Sequence, residues 1–166
     1  MIGDAELQEL AARTGQALLA RRLRLVTAES CTGGFIAKSL TDIPGSSQWF
    51  ECGYVTYSNQ AKTRDLGVGP RTLARHGAVS EAVALEMAAG ALRVAGGDVA
   101  IGVTGIAGPD GALPRKPVGT VWFGSAILTA GVVEVAAQHM HFAGDRDQVR
   151  RLSVGYALKM ILALAL

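Results

Sequence analysis

"LRLVTAESCTGGFIAKSLTDIPG", residues 23–45, changes character twice within a few residues. "LRLVTAE" is short, apolar and β-branched at Val26 and Thr27, and reads as a strand. Thr32-Gly33-Gly34 then opens a helix over "GFIAKSLTDI", with Thr32 placed to cap it, and Pro44-Gly45 stops it. A strand that feeds a helix through a glycine turn is the βα unit of an α/β fold, and "ESCTGG" stands at the turn.

The flanking sequence repeats the theme. "AELQELAARTGQALLARR" sets Leu7, Leu10, Ala11 and Leu18 at helical spacing, with Asp4 near the start and Arg21 and Arg22 near the end, the charge order a helix dipole favours. "FECGYVTYSN" is aromatic and β-branched and predicts a second strand, followed by a short helical piece in "QAKTRDLG" and another from Pro70. Ser80 is the expected cap of "EAVALEMAAGALRVAG", which Gly96-Gly97 closes. "DVAIGVTG" is nearly all apolar, as a strand buried on both faces must be. A Gly/Pro loop, "GIAGPDGALPRKPVG", leads to "TVWFGSAIL" and "VVEVAAQHMHF", a hairpin joined near Ala130-Gly131. Asp145 caps a last helix with Val149, Leu152, Tyr156 and Ala163 on one face. The expected fold is α/β: a three-layer α/β/α sandwich with a mixed, largely parallel sheet, in a single domain over 1–166.

Bulk properties narrow the function. With 166 residues, 49% hydrophobic and 18% charged, the chain builds one core and is not disordered. Sixteen basic against 14 acidic residues, net +2, give no phosphate footprint of duplex size, so nucleic acid is not an expected partner. Cys31 and Cys52 have no metal or redox spacing, and "MIGDAELQEL" lacks an export pattern, so a reducing cytoplasm is expected. "MILALAL" is far below the ~20 residues of a membrane span and reads as a buried helix end.

Open α/β sheets gather ligands at the carboxyl ends of their strands, and three polar or glycine-rich loops follow strands here: "ESCTGG", "TYSNQAK" and "VTGIAGPDG". If Thr32 caps the helix, Ser30 is left at the strand end with a free hydroxyl near amides able to hold an oxyanion. A serine nucleophile needs a base. His139 and His141 share a strand face without further ligands nearby, so no metal is expected, and His76 sits in a turn. The lysines are Lys38, Lys62, Lys116 and Lys159; Lys62 follows a strand end and can reach a neighbouring loop, yet a lone lysine in a polar segment is ordinarily solvated. Cys31 at a helix entrance is a second candidate nucleophile, against the plain reading of a packed thiol.

"TAESCTGG", "TDIPGSSQWFECGYVTYSNQAK", "GAVSEAVALEMAAGAL", "GVTGIAGPDG", "KPVGTVWFG" and "FAGDRDQVR" together resemble the CinA C-terminal domain family, from Leu25 to Arg151. The resemblance implies an amidase that converts nicotinamide mononucleotide to nicotinate mononucleotide and ammonia through a Ser/Lys pair, with no metal or cofactor. It makes Ser30 the nucleophile, Lys62 the base and Tyr57 a helper. Cys31, Thr32, Gly33 and Gly34 then belong to the substrate site, with amides of Thr32 to Gly34 and of Gly105 holding the oxyanion. Thr104 and Asn59 neighbour the nucleotide, and its phosphate rests on "TGIAG" or on Arg146. Arg115 before Lys116-Pro117, and Gln60 in "YSNQAK", depart from the family pattern. The expected partners are a small nucleotide and further copies of the chain, with no membrane; the rival reading is a non-catalytic nucleotide-binding or interaction module linked to competence and DNA damage.

Overall fold

The computed structural model describes residues 2–166 and places the opening stretch as expected, with β1 (Leu25–Glu29) entering α2 (Phe35–Thr41) through a tight turn. Before it comes α1 (Asp4–Ala20). After it come β2 (Phe50–Val55), α3 (Asn59–Leu66), α4 (Pro70–His76), α5 (Glu81–Ala95), β3 (Val99–Gly105), β4 (Thr120–Thr129), β5 (Val132–His141) and α6 (Arg146–Leu164). The strand order is β2-β1-β3-β4-β5, with β1 parallel to both its neighbours and β4 antiparallel to both of its own. Only β4 therefore runs against the other strands, so the sheet is mixed and largely parallel.

Alternation along the strands sorts the core into two layers. Leu25, Val99, Ile101, Val103, Val121 and Phe123 face α1, α2 and α6, while Val26, Ala28, Ala100 and Ala126 face α5. The second face is built of small residues because α5 lies almost on the sheet. A Cβ on Gly124 would stand 2.1 Å from the Ala84 carbonyl oxygen, and one on Gly102 would stand 2.8 Å from both Ala84 O and Ala88 N. β3, central and buried along nearly its whole length, matches the apolar run that announced it.

Ser80 and Asp145 cap α5 and α6 as their sequence positions predict, Asp145 through a full capping box with Gln148. Arg21 and Arg22 stand at the end of α1, Arg21 as its cap residue. One expectation fails. Thr32 does not cap α2: the cap position is Gly34, left-handed at φ 92°, and the Thr32 hydroxyl is buried without a partner. The physical reason is Glu29.

Candidate active site

Glu29 ends β1 fully buried, and its carboxylate takes the place a capping hydroxyl would have had. It accepts the amides of Gly34 (3.0 Å), Ile36 (3.0 Å) and Ala37 (2.8 Å), satisfying donors that α2 cannot pair internally and placing negative charge at the positive end of the helix. With the helix so anchored, the turn is held from both ends. The Ser30 amide donates to Val103 O on β3 at 3.0 Å, and the Gly33 amide donates to Ser30 O at 3.0 Å. Gly33 and Gly34 both take positive φ, which only glycine adopts without strain.

The base arrives from the next βα unit. Ser58 caps α3 by accepting the Ala61 amide at 3.0 Å, and Lys62, one turn in, points back under the end of the sheet. Its Nζ lies 2.9 Å from Ser30 Oγ, 2.6 Å from Thr56 O and 3.3 Å from Tyr57 O. Lys62 is only 1% exposed, so the solvated reading of this lysine is excluded. Burial without a facing carboxylate pulls its pKa down from 10.5 to about 8. The other lysines are elsewhere: Lys38 pairs with Asp42, Lys116 donates to His76 O, and Lys159 is exposed.

Ser30 and Lys62 form the floor of a cleft of about 260 Å³, a little below the ~300–1,000 Å³ usual for small-molecule sites. One wall is Thr104 and Gly105 at the end of β3 with the loop that follows. Another is Ala78 and Val79 before α5, tied to β3 by the Thr104 hydroxyl donating to Ala78 O at 2.8 Å. At the mouth the Arg146 guanidinium donates to Gly108 O (2.7 Å) and to the Tyr57 hydroxyl (3.1 Å). Tyr57 thus meets Lys62 through its carbonyl and Arg146 through its phenol. Asp110 also lines the cleft.

The expected site residues divide accordingly. Ser30, Cys31, Tyr57, Lys62, Thr104, Gly105 and Arg146 share the cleft, whereas Thr32, Gly33, Gly34 and Asn59 lie outside its lining. The amides of Gly33 and Gly34 already have acceptors, so they are not free for an oxyanion; among the described residues those of Cys31 and Thr32 have none. Burial pushes the Cys31 thiol up to about 12, which keeps it protonated and unreactive at neutral pH. His139 packs against Trp122 with ring centroids 4.8 Å apart and His141 Nε2 lies 3.0 Å from Val118 O, both away from the cleft. Among the described residues no cluster of three or more His, Cys, Asp or Glu side chains is arranged to hold a metal ion. Sequence reading missed Glu29 and Asp110, although both stand inside stretches it singled out, "ESCTGG" and "GPDG".

The family model of the CinA C-terminal domain matches residues 7–165. The chain belongs to the CinA C-terminal domain family. It is 54% identical over 158 residues to a protein of Escherichia coli named nicotinamide-nucleotide amidohydrolase PncC, covering 95% of this chain and 94% of that one. It is 51% identical to a putative competence-damage inducible protein of Symbiobacterium thermophilum, of which it spans 36%. The crystal structure of the competence/damage inducible protein CihA from Agrobacterium tumefaciens superposes with a TM-score of 0.91 at 43% identity, covering 99% of this chain and 97% of that one. A CinA domain thus supplies the sheet ends on which Ser30 and Lys62 meet.

Proposed function

We propose that this CinA domain is an amidohydrolase that deamidates nicotinamide mononucleotide to nicotinate mononucleotide and ammonia, a step of pyridine nucleotide salvage. The observation that carries the proposal is the 2.9 Å approach of a buried lysine to Ser30 Oγ; the name and near full-length match of the Escherichia coli relative support the choice of substrate.

A neutral lysine has two N–H groups and one lone pair. Thr56 O and Tyr57 O accept the two hydrogens, which directs the lone pair at the Ser30 hydroxyl. Lys62 takes the proton as Ser30 Oγ attacks the carboxamide carbon, and the Cys31 amide, which has no acceptor of its own, receives the oxyanion. The lysine ammonium then gives its proton to the departing nitrogen, which leaves as ammonia. Water, deprotonated by the same lysine, hydrolyses the acyl-serine to the nicotinate carboxylate.

Arg146 is the phosphate partner at the mouth. The α6 amides contribute less, because Asp145 already caps that terminus. No helix among the described residues is long and apolar enough to cross a membrane. We expect the enzyme in a reducing cytoplasm on a separate ground, its two free thiols Cys31 and Cys52. We expect it to assemble as a homo-oligomer, since β5 is an edge strand with Val132, Val133 and Val135 exposed.

The test is ammonia release from nicotinamide mononucleotide, with nicotinamide and nicotinamide riboside as controls. Release from the nucleotide is expected; release from neither nucleotide nor controls overturns the assignment.

A further inference from the structure

The cleft holds one acid to which the amide chemistry gives no role. Asp110 sits in the loop after β3, between Gly108 and Gly111 at φ 84° and 95°, and lines the cleft with Arg146 and Gly105. No ion pair or hydrogen bond to a described residue engages its carboxylate, although the Arg146 guanidinium lines the same cleft and bonds instead to Gly108 O and Tyr57.

The reacting end fixes how a nucleotide must lie. Its carboxamide carbon has to reach Ser30 Oγ on the floor, beside Lys62, so the pyridine ring follows, then the ribose, then the phosphate at the mouth. A carboxylate in such a cleft repels the phosphate and accepts hydrogen bonds only. Beyond the carboxamide, the only donors such a ligand offers are the two ribose hydroxyls, and a carboxylate receiving a ribose hydroxyl is a standard way of recognising nucleotides.

Building on the amidase reading, we infer that Asp110 accepts hydrogen bonds from the ribose hydroxyls and makes the site specific for ribosylated substrates. Arg146 and Asp110 then read the two groups that distinguish the nucleotide from free nicotinamide, one the phosphate and the other the sugar.

The test compares nicotinamide mononucleotide with its 2′,3′-dideoxyribosyl analogue, measuring kcat and KM for the wild type, Asp110→Asn and Asp110→Ala. Hydrogen bonds to a charged group are worth ~1.5–3 kcal/mol, so the wild type should prefer the ribosyl substrate by about 10- to 160-fold in kcat/KM. Asp110→Ala should erase that preference by raising KM for the ribosyl substrate while leaving the dideoxy analogue unchanged, and Asp110→Asn, which retains one acceptor, should fall between. Equal losses on both substrates, or no change on either, overturn the inference. An inactive wild type would instead remove the amidase reading beneath it, an outcome visible before any variant is made.

Discussion

Replacing Lys62 by arginine keeps a positive charge and removes the ability to be a base, so it isolates the claim that this lysine works neutral. Burial brings the Lys62 pKa from 10.5 to about 8. At pH 7 about one molecule in ten then carries a neutral lysine, against roughly one in 3,000 for a solvated one, a gain of ~300-fold in competent base. The single-turnover rate of ammonia release should climb nearly tenfold per pH step from about 6 to 7.5 and level off above about 8. A guanidinium does not release its proton in this range, so Lys62→Arg should lose about 10³-fold or more in rate and show no limb near 8. Binding of the nucleotide, measured separately, should persist. A wild-type rate that is flat from pH 6 to 9, or a Lys62→Arg rate within tenfold of wild type, would refute the reasoning and move the base elsewhere.

Ser30→Ala should abolish turnover while Cys31→Ala keeps most of it, because the Cys31 thiol is held protonated by burial; steady-state rates on the nucleotide decide, and the reverse order would make the thiol the nucleophile. The folded Lys62 value lies below the ~10.4 of an unfolded chain, so at this group the unfolded state binds more protons between about 8 and 10.4, and its contribution to stability should rise with pH across that window, by up to about 3 kcal/mol. The Cys31 thiol, raised to about 12, works in the opposite direction above about 9 in any variant that keeps it, so the test is the difference in urea midpoint between wild type and Lys62→Met, which should move in favour of wild type across the window. Gly124→Ala drives a methyl into the Ala84 carbonyl and should cost ~1–3 kcal/mol or more in the same assay.

The architecture was legible because its signals are local. Glycine and proline bracket α2, the apolar run of β3 needs a two-sided core, and Ser80 and Asp145 are caps whose partners lie three residues away. The cap of α2 was not legible by the same rule. Its acceptor, Glu29, is on the strand side of the turn and reaches five to eight residues forward, a geometry that exists only once Gly33 and Gly34 have turned the chain back. Lys62 was ambiguous for a related reason. Its neighbours in sequence are polar and its burial comes from Ser30, 32 residues away on another strand end, so nothing within "SNQAKTRDLG" separates it from a surface lysine. Asn59 is the converse case: adjacent in sequence to the site, it lines the groove between α3 and α4.

Glu29 and Lys62 are both buried, and Ser30 follows the one and is bonded to the other. Had they paired, the carboxylate would have held the lysine protonated and the serine without a base. The fold keeps them apart in function by giving Glu29 three amides at the start of α2 and giving Lys62 only neutral partners, two carbonyls and a hydroxyl. The acid anchors the nucleophile's turn, and the lysine remains free to lose its proton. Glu29→Gln tests this separation, since glutamine presents an NH₂ group to amides that need an acceptor. The variant should lose about 2–3 kcal/mol of stability and much of kcat as the turn loosens. The acidic limb of the rate should nevertheless stay near 8, because Glu29 is not among the groups that set the Lys62 pKa. A limb that shifted down by a full pH step in Glu29→Gln would mean that the carboxylate does face the lysine, and the neutral-base mechanism would have to yield to one built on a buried ion pair.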